Sequence, residues 1–365
     1  MYLYSDRLIE CFHHWRHLSL TYYSEDTNLA LHTNLIAGLL LTSGILENIC
    51  SHWKVLVLHW NSTLLSEHTL KKQGYSGTSP TPSIWATYWW TTEYNRFTHL
   101  IPYNFPLSLA LYVFNKWCLY AWNFGDIFIA VISRALYKRF QLHHQAAQIA
   151  LQMQLIRMKE KREKGEADFS HNTSNHSIST YIFWKHLVKD HDKLMDLLKT
   201  FSDLLSPLIF WSVCANVYFV GTTLYNILES TSTSTAVTLP GNPTQNQNST
   251  NVGGFYFEGV ELADYLFLHR IYVAWACLHL FIRMMITLVC GAKVNEYAHK
   301  TSDILARCPV PCWTTEVERM NLRLRTSTVG LTGLNYFTLT KPFILRVFNV
   351  IFTVEIVLLQ SSNLR

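Results

Sequence analysis

Five stretches of this chain are long and apolar enough to cross a bilayer, and they constrain the fold more than any other feature. A spanning helix takes about 20 mostly apolar residues. The stretches run over about 34–58, 105–136, 204–228, 262–290 and 340–359. Composition agrees: 15% of the residues are charged, against about 25% in soluble proteins. Mean hydropathy is only slightly positive, because polar segments interrupt the apolar ones. The expected fold class is all-α, a polytopic integral membrane protein. A further helix-like stretch, charged and then apolar, lies between residues 314 and 337.

Loop charge then sets an orientation. Residues 138–199 carry eleven Lys and Arg and 293–325 carry six, whereas 60–103 carry three and 229–261 none. Positively charged loops stay in the cytoplasm, so the two basic loops are expected inside, and the loops 60–103 and 229–261 outside with the C-terminus. The sequons at Asn61 and Asn248 fall in the outer loops and are expected to be glycosylated. Residues 230–251, rich in Ser, Thr, Asn and Gln, read as an unstructured outer loop.

Polar side chains inside spans are the informative exceptions, since a charge at a helix centre costs about 2.5–3.5 kcal/mol on insertion scales. Glu47 and Asn48 follow the strongest apolar run of the first span. Trp122, Asn123 and Asp126 lie midway along the second, Asn216 and Tyr218 midway along the third, and Tyr272 and Trp275 in the fourth. Rings beside carboxylates and amides suit a polyhydroxylated ligand: the rings cover its C–H faces and the polar groups take its hydroxyls. The same groups can equally tie helix to helix. The expectation is a ligand pocket at mid-membrane, open to the outside.

Other clusters point to no catalysis. His13, His14 and His17, with the pair His143 and His144, invite comparison with the histidine boxes of membrane di-iron oxidases, which need several boxes facing one site. Cys308 and Cys312 form one pair, whereas a structural zinc takes four ligands. Cys118, Cys214, Cys277 and Cys290 fall in apolar runs and read as small buried hydrophobes. No metal, cofactor or enzymatic activity is expected.

The most specific signal is C-terminal. Thr353, Glu355 and Gln360 stand at the spacing of the signature that closes insect gustatory receptors, with Glu in the position used by the sugar-sensing branch. Val354 and Ser361 stand where the family has Tyr and Phe. Residues 331–341 resemble the family's approach to its last helix, 124–133 its fourth helix, and Leu205 to Pro207 with Asn216 to Phe219 its fifth. The chain thus resembles the insect gustatory receptors, whose fold has seven spans. The two spans not seen would precede residue 23, and residues 8–23 resemble the family's second helix. On this resemblance the sequence is expected to derive from a longer product, with 1–33 a remnant helix and linker and 34–360 the receptor domain.

The resemblance implies a sugar receptor of the plasma membrane of chemosensory neurons, acting as a ligand-gated cation channel. It implies a homo- or hetero-tetramer, no nucleic-acid partner, and a pore lined by the last span, with Thr353, Glu355, Ile356, Val357 and Gln360 as pore and gate residues. A receptor without its own pore, coupled to a G protein, is the competing reading. The expected external C-terminus, with no cytoplasmic tail, speaks against it.

Overall fold

The structure is a computed structural model that describes residues 2–17, 27–72, 105–163, 173–236, 260–307, 313, 315–326 and 329–362. Its described elements are α1 (Tyr2–His17), α2 (Thr27–Lys72), α3 (Phe105–Glu163), α4 (Thr173–Ala236), α5 (Val260–Leu305), α6 (Thr315–Thr326), β1 (Thr332–Gly333), β2 (Phe337–Thr338) and α7 (Lys341–Ser362). Asn248, Cys308 and Cys312 lie outside the described residues, as do 73–104 and 237–259.

The chain is an all-α, multi-pass membrane protein. Four described helices are long and apolar enough to cross a membrane: Ala30–Trp53, Ile182–Tyr225, Arg270–Leu305 and Lys341–Gln360. The stretch expected as the second span, in α3, is not among them, because Lys116, Asp126 and Arg134 interrupt it. The burial pattern of α2 is that of a membrane helix. Leu31, Leu35, Leu39, Ile45, Ile49 and Trp53 are exposed, while Asn48 is buried, the reverse of a soluble helix.

The helices outrun their apolar cores. At 1.5 Å per residue, the 59 residues of α3 and 64 of α4 rise about 90 Å or more, against a hydrocarbon thickness of about 30 Å. The helices leading into the two loops expected outside run further than the sequence suggests. α2 continues to Lys72 and so carries Asn61, and α4 continues to Ala236. The helix-like stretch 314–337 is corrected in its second half: α6 ends at Thr326, and the apolar residues beyond it form an antiparallel hairpin with Thr332 opposite Thr338. Gly330, Gly333 and Asn335 interrupt any helix there. Cys290 is buried as expected, but Cys118 and Cys214 are exposed on their helices.

The chain divides into two compact units, and each long helix of the sets α2–α5 and α7 gives residues to one or both. The first comprises Met1–Leu39, Gly125–Val217 and Arg283–Val350. Its core joins Ala147 and Leu151 of α3, Trp184, Leu187 and Val188 of α4, Ile304 and Leu305 of α5, and Val317, Met320 and Leu324 of α6. Those of α3, α4 and α6 include the three- and four-residue spacings that put side chains on one helix face. Trp184 donates its indole N–H to Gln154 at 3.2 Å, so the largest core residue leaves no unpaired donor. α1 docks here too: Arg139 stacks on Trp15, 3.8 Å from the ring centre, and Phe12 and Trp15 meet Phe201 edge-on. His143 and His191 are buried with ring centres 5.3 Å apart. Burial pushes His143 down to about 4. The second unit comprises Leu40–Phe124, Tyr218–Ile282 and Ile351–Arg365.

Candidate functional site

The expected pocket residues fall into separate groups. Asp126 and Asn216 belong to the first unit, where they sit in a closed network. The Asp126 carboxylate has no solvent exposure and meets Arg283 Nε of α5 at 2.8 Å. Asn216 of α4 donates to the Asp126 carboxylate at 3.2 Å and to Ser212 Oγ at 3.3 Å, and accepts from Arg283 Nη2 at 3.0 Å. Ser212 also donates to Asp126. Thr287 donates to the Asp126 and Arg283 carbonyls at 3.5 and 3.1 Å. Ser212 with Asn216, and Arg283 with Thr287, are four residues apart, so each pair presents on one helix face. Both oxygens of this carboxylate have protein partners. Asp126 and Asn216 thus tie α3, α4 and α5 together.

The second unit holds a different arrangement, built on α2. Glu47 accepts from the Tyr272 hydroxyl of α5 at 3.0 Å, and Ser43, one turn earlier, meets His279 seven residues on from Tyr272. The neighbouring stripe of α2 faces α3. Asn48 donates to the Tyr120 hydroxyl at 2.8 Å and accepts from Lys116 Nζ at 3.0 Å; the His52 ring lies 3.5 Å from the Tyr112 hydroxyl. Tyr112, Lys116, Tyr120 and Asn123 recur at three- and four-residue spacing, one face of α3. Gly44 brings Asn123 close: a Cβ added there would stand 3.2 Å from the amide nitrogen. Unlike Asp126, these groups are mostly half-buried, with surface left that a ligand can reach.

The aromatic candidates belong to this unit as well. Trp122 packs on Phe219 with ring centres 4.8 Å apart, and Tyr218 meets Phe219 edge-on at 5.3 Å. Tyr218 is 65% exposed and Trp275 36%; neither is a closed pocket wall.

On α7, Thr353, Ile356, Val357 and Gln360 are exposed, while Glu355 is buried. The Glu355 carboxyl lies over Gly221 of α4, 3.6 Å from where a Cβ would stand. Neither of its oxygens has a hydrogen-bond partner among the described residues.

Sequence reasoning missed Arg283, Lys116 and His279. Each lies within or beside an apolar run, so the rule that singled out Asp126 applied to them equally. It missed Ser212 and Thr287 for a better reason: small hydroxyl residues are common in membrane helices, and nothing in one dimension marks a carboxylate above them.

A profile of the family described as trehalose receptor matches residues 15–239 and 262–364. Among curated proteins the chain is similar to three gustatory receptors for sugar taste from Drosophila melanogaster. It is 25% identical to 64a over 273 residues, 74% of this chain and 47% of that one. It is 21% identical to 64b over 265 residues, covering 72% and 51%, and 22% identical to 61a over 268 residues, covering 73% and 48%. The chain therefore spans about half the length of the curated relatives it matches. Among solved structures, the insect olfactory receptor OR5 from Machilis hrabei in complex with eugenol superposes over 98% of this chain and 75% of its own. The TM-score is 0.49 at 13% identity.

Proposed function

This chain belongs to the trehalose receptor family, within the insect gustatory receptors, and from that premise we propose that it detects sugars at the plasma membrane of chemosensory neurons as a ligand-gated cation channel. Its sugar site is the polar face between α2, α3 and α5 in the second unit, built from Glu47, Asn48, Lys116, Tyr120 and Tyr272, with Trp122, Tyr218 and Trp275 as the aromatic surface. The observation that carries this reading is a row of half-buried donors and acceptors on facing helices whose other faces are apolar. A saccharide is a dense array of hydroxyls, and a site built to bond them rejects molecules lacking them. Four copies, of this chain or with other gustatory receptors, would then place α7 around one pore.

Tyr272→Phe tests the site. It removes one hydroxyl without changing shape, so the concentration of trehalose giving half-maximal current should rise about tenfold, the usual scale for a hydrogen bond to a charged or polar partner, at unchanged surface expression. An unaltered dose–response in both Tyr272→Phe and Glu47→Gln would move the sugar elsewhere.

A further inference from the structure

In the segment joining α6 to α7, Asn295 and His299 of α5 hold Val329, and two serines of α4 hold the hairpin beyond it in a strained form. Its hairpin turns at Leu334 and Asn335, both with positive φ, 48° and 61°, the combination required by type I′ turns. The Tyr336 amide closes the turn on the Gly333 carbonyl at 3.0 Å, and the Leu339 amide bonds Leu331 at 2.8 Å. Asn tolerates the left-handed region; Leu does not, because its Cβ crowds the carbonyl oxygen. At Gly333 an added Cβ would stand 2.3 Å from the Phe337 ring, so the two arms are tightly apposed.

Ser202 and Ser206 of α4 grip this hairpin. Ser202 Oγ accepts the Thr332 amide at 3.1 Å and meets the Thr332 hydroxyl at 3.1 Å, while Ser206 Oγ accepts the Leu334 amide at 2.6 Å. The serines are one turn apart on one face of α4, so a single rotation of that turn would break both contacts. That turn is also weak. Pro207 lies inside the helix, has no N–H for the Asp203 carbonyl, and makes its surroundings a place where helices bend. Downstream, Phe337 stacks on Phe343 of α7 with ring centres 4.4 Å apart, so the hairpin's position is passed on to α7.

We propose that Ser202 and Ser206 form a two-point release latch: motion at the Pro207 turn lets go of the Thr332 and Leu334 amides together, Leu334 relaxes, and α7 is freed to shift. That the shift opens a pore rests on the channel reading above; the latch does not.

Hydrogen exchange of the full chain in lipid nanodiscs, read over residues 329–340, tests it. Pro207→Ala restores the helix donor and should slow exchange of the two amides at least threefold without sugar. Ser202→Ala with Ser206→Ala should speed it at least tenfold. No slowing in Pro207→Ala, a variant that strengthens its helix, overturns the latch whatever the serine variants do. In native protein, trehalose should speed exchange at the same amides. Sugar-induced change around 43–52 without change at the hairpin would also overturn it. Sugar-induced change nowhere would count against the sugar reading, leaving the Pro207→Ala result to decide the latch.

Discussion

A carboxylate that stays ionised away from water needs a cation beside it, and Arg283 supplies one to Asp126. Taking either partner away strands the other, which costs about 3–5 kcal/mol for a buried pair, whereas replacing both with apolar residues of similar volume is often neutral or better. Asp126→Ala and Arg283→Ala should each lower the melting midpoint in detergent sharply, and Asp126→Leu with Arg283→Met should recover it. Single variants that melt like the native chain would show that the pair holds nothing. The contrast within the molecule is the exposed pair Arg323 with Asp192 at 3.1 Å, where less than about 1 kcal/mol is at stake. Histidine gives the residue-scale pH dependence. His143, held near 4 by burial, is neutral in the fold. Unfolded it would take its proton near pH 6.5. Between those values the unfolded chain binds more protons, so stability is full above about pH 6.5 and declines as pH falls, by about 2 kcal/mol at pH 5 for one such group. Melting midpoints measured from pH 7 to 5 should fall accordingly, and His143→Phe should flatten the slope; an unchanged slope would mean that this ring is not held neutral.

Among the described spans, α7 is sparsely covered by its own chain. Val347, Ile351 and Glu355, four residues apart, form its buried stripe, while Leu345, Phe352, Ile356 and Val357 are 56–71% exposed. Its 22 residues rise about 33 Å, one crossing of the hydrocarbon. Ile356 and Gln360 share a face, and on the channel reading that face makes an apolar ring next to a ring of amides, a geometry that closes pores by dewetting and holds partly hydrated ions. Ile356→Ser and Val357→Ser should then pass current without sugar, and Gln360→Ala should alter ion selectivity. Silent, sugar-responsive channels with native permeation in all three would take α7 out of the pore. The element that sequence periodicity misread is the hairpin before α7. Its apolar residues continue the helix-like pattern of α6, and only Gly330, Gly333 and Asn335 register the turn. Its two serine anchors lie on a distant helix.

For the whole molecule, orientation is the open test. The basic segments 138–199 and 293–325 predict that a C-terminal epitope tag is labelled on intact cells and that Asn61 and Asn248 carry glycans. A tag reached only after permeabilisation would reverse that topology. What the sequence determined alone is the class. Apolar runs of 20 or more residues have to be helices in a bilayer, because hydrocarbon offers backbone groups no other partner. The C-terminal spacing of Thr353, Glu355 and Gln360 pointed to the gustatory receptors, and the family profile agrees. The list of polar residues was legible too, since a charge in an apolar run stands out whatever its role. Their roles were decided only by tertiary structure. Asp126 and Glu47 look alike in the sequence, each an acid within a predicted span. One is enclosed by Arg283, Asn216 and Ser212, the other shares a half-buried face with Tyr272. Which of these happens depends on the rotation of each helix about its axis and on which neighbour it meets. Packing between segments far apart in the chain sets both, and a one-dimensional pattern does not record it.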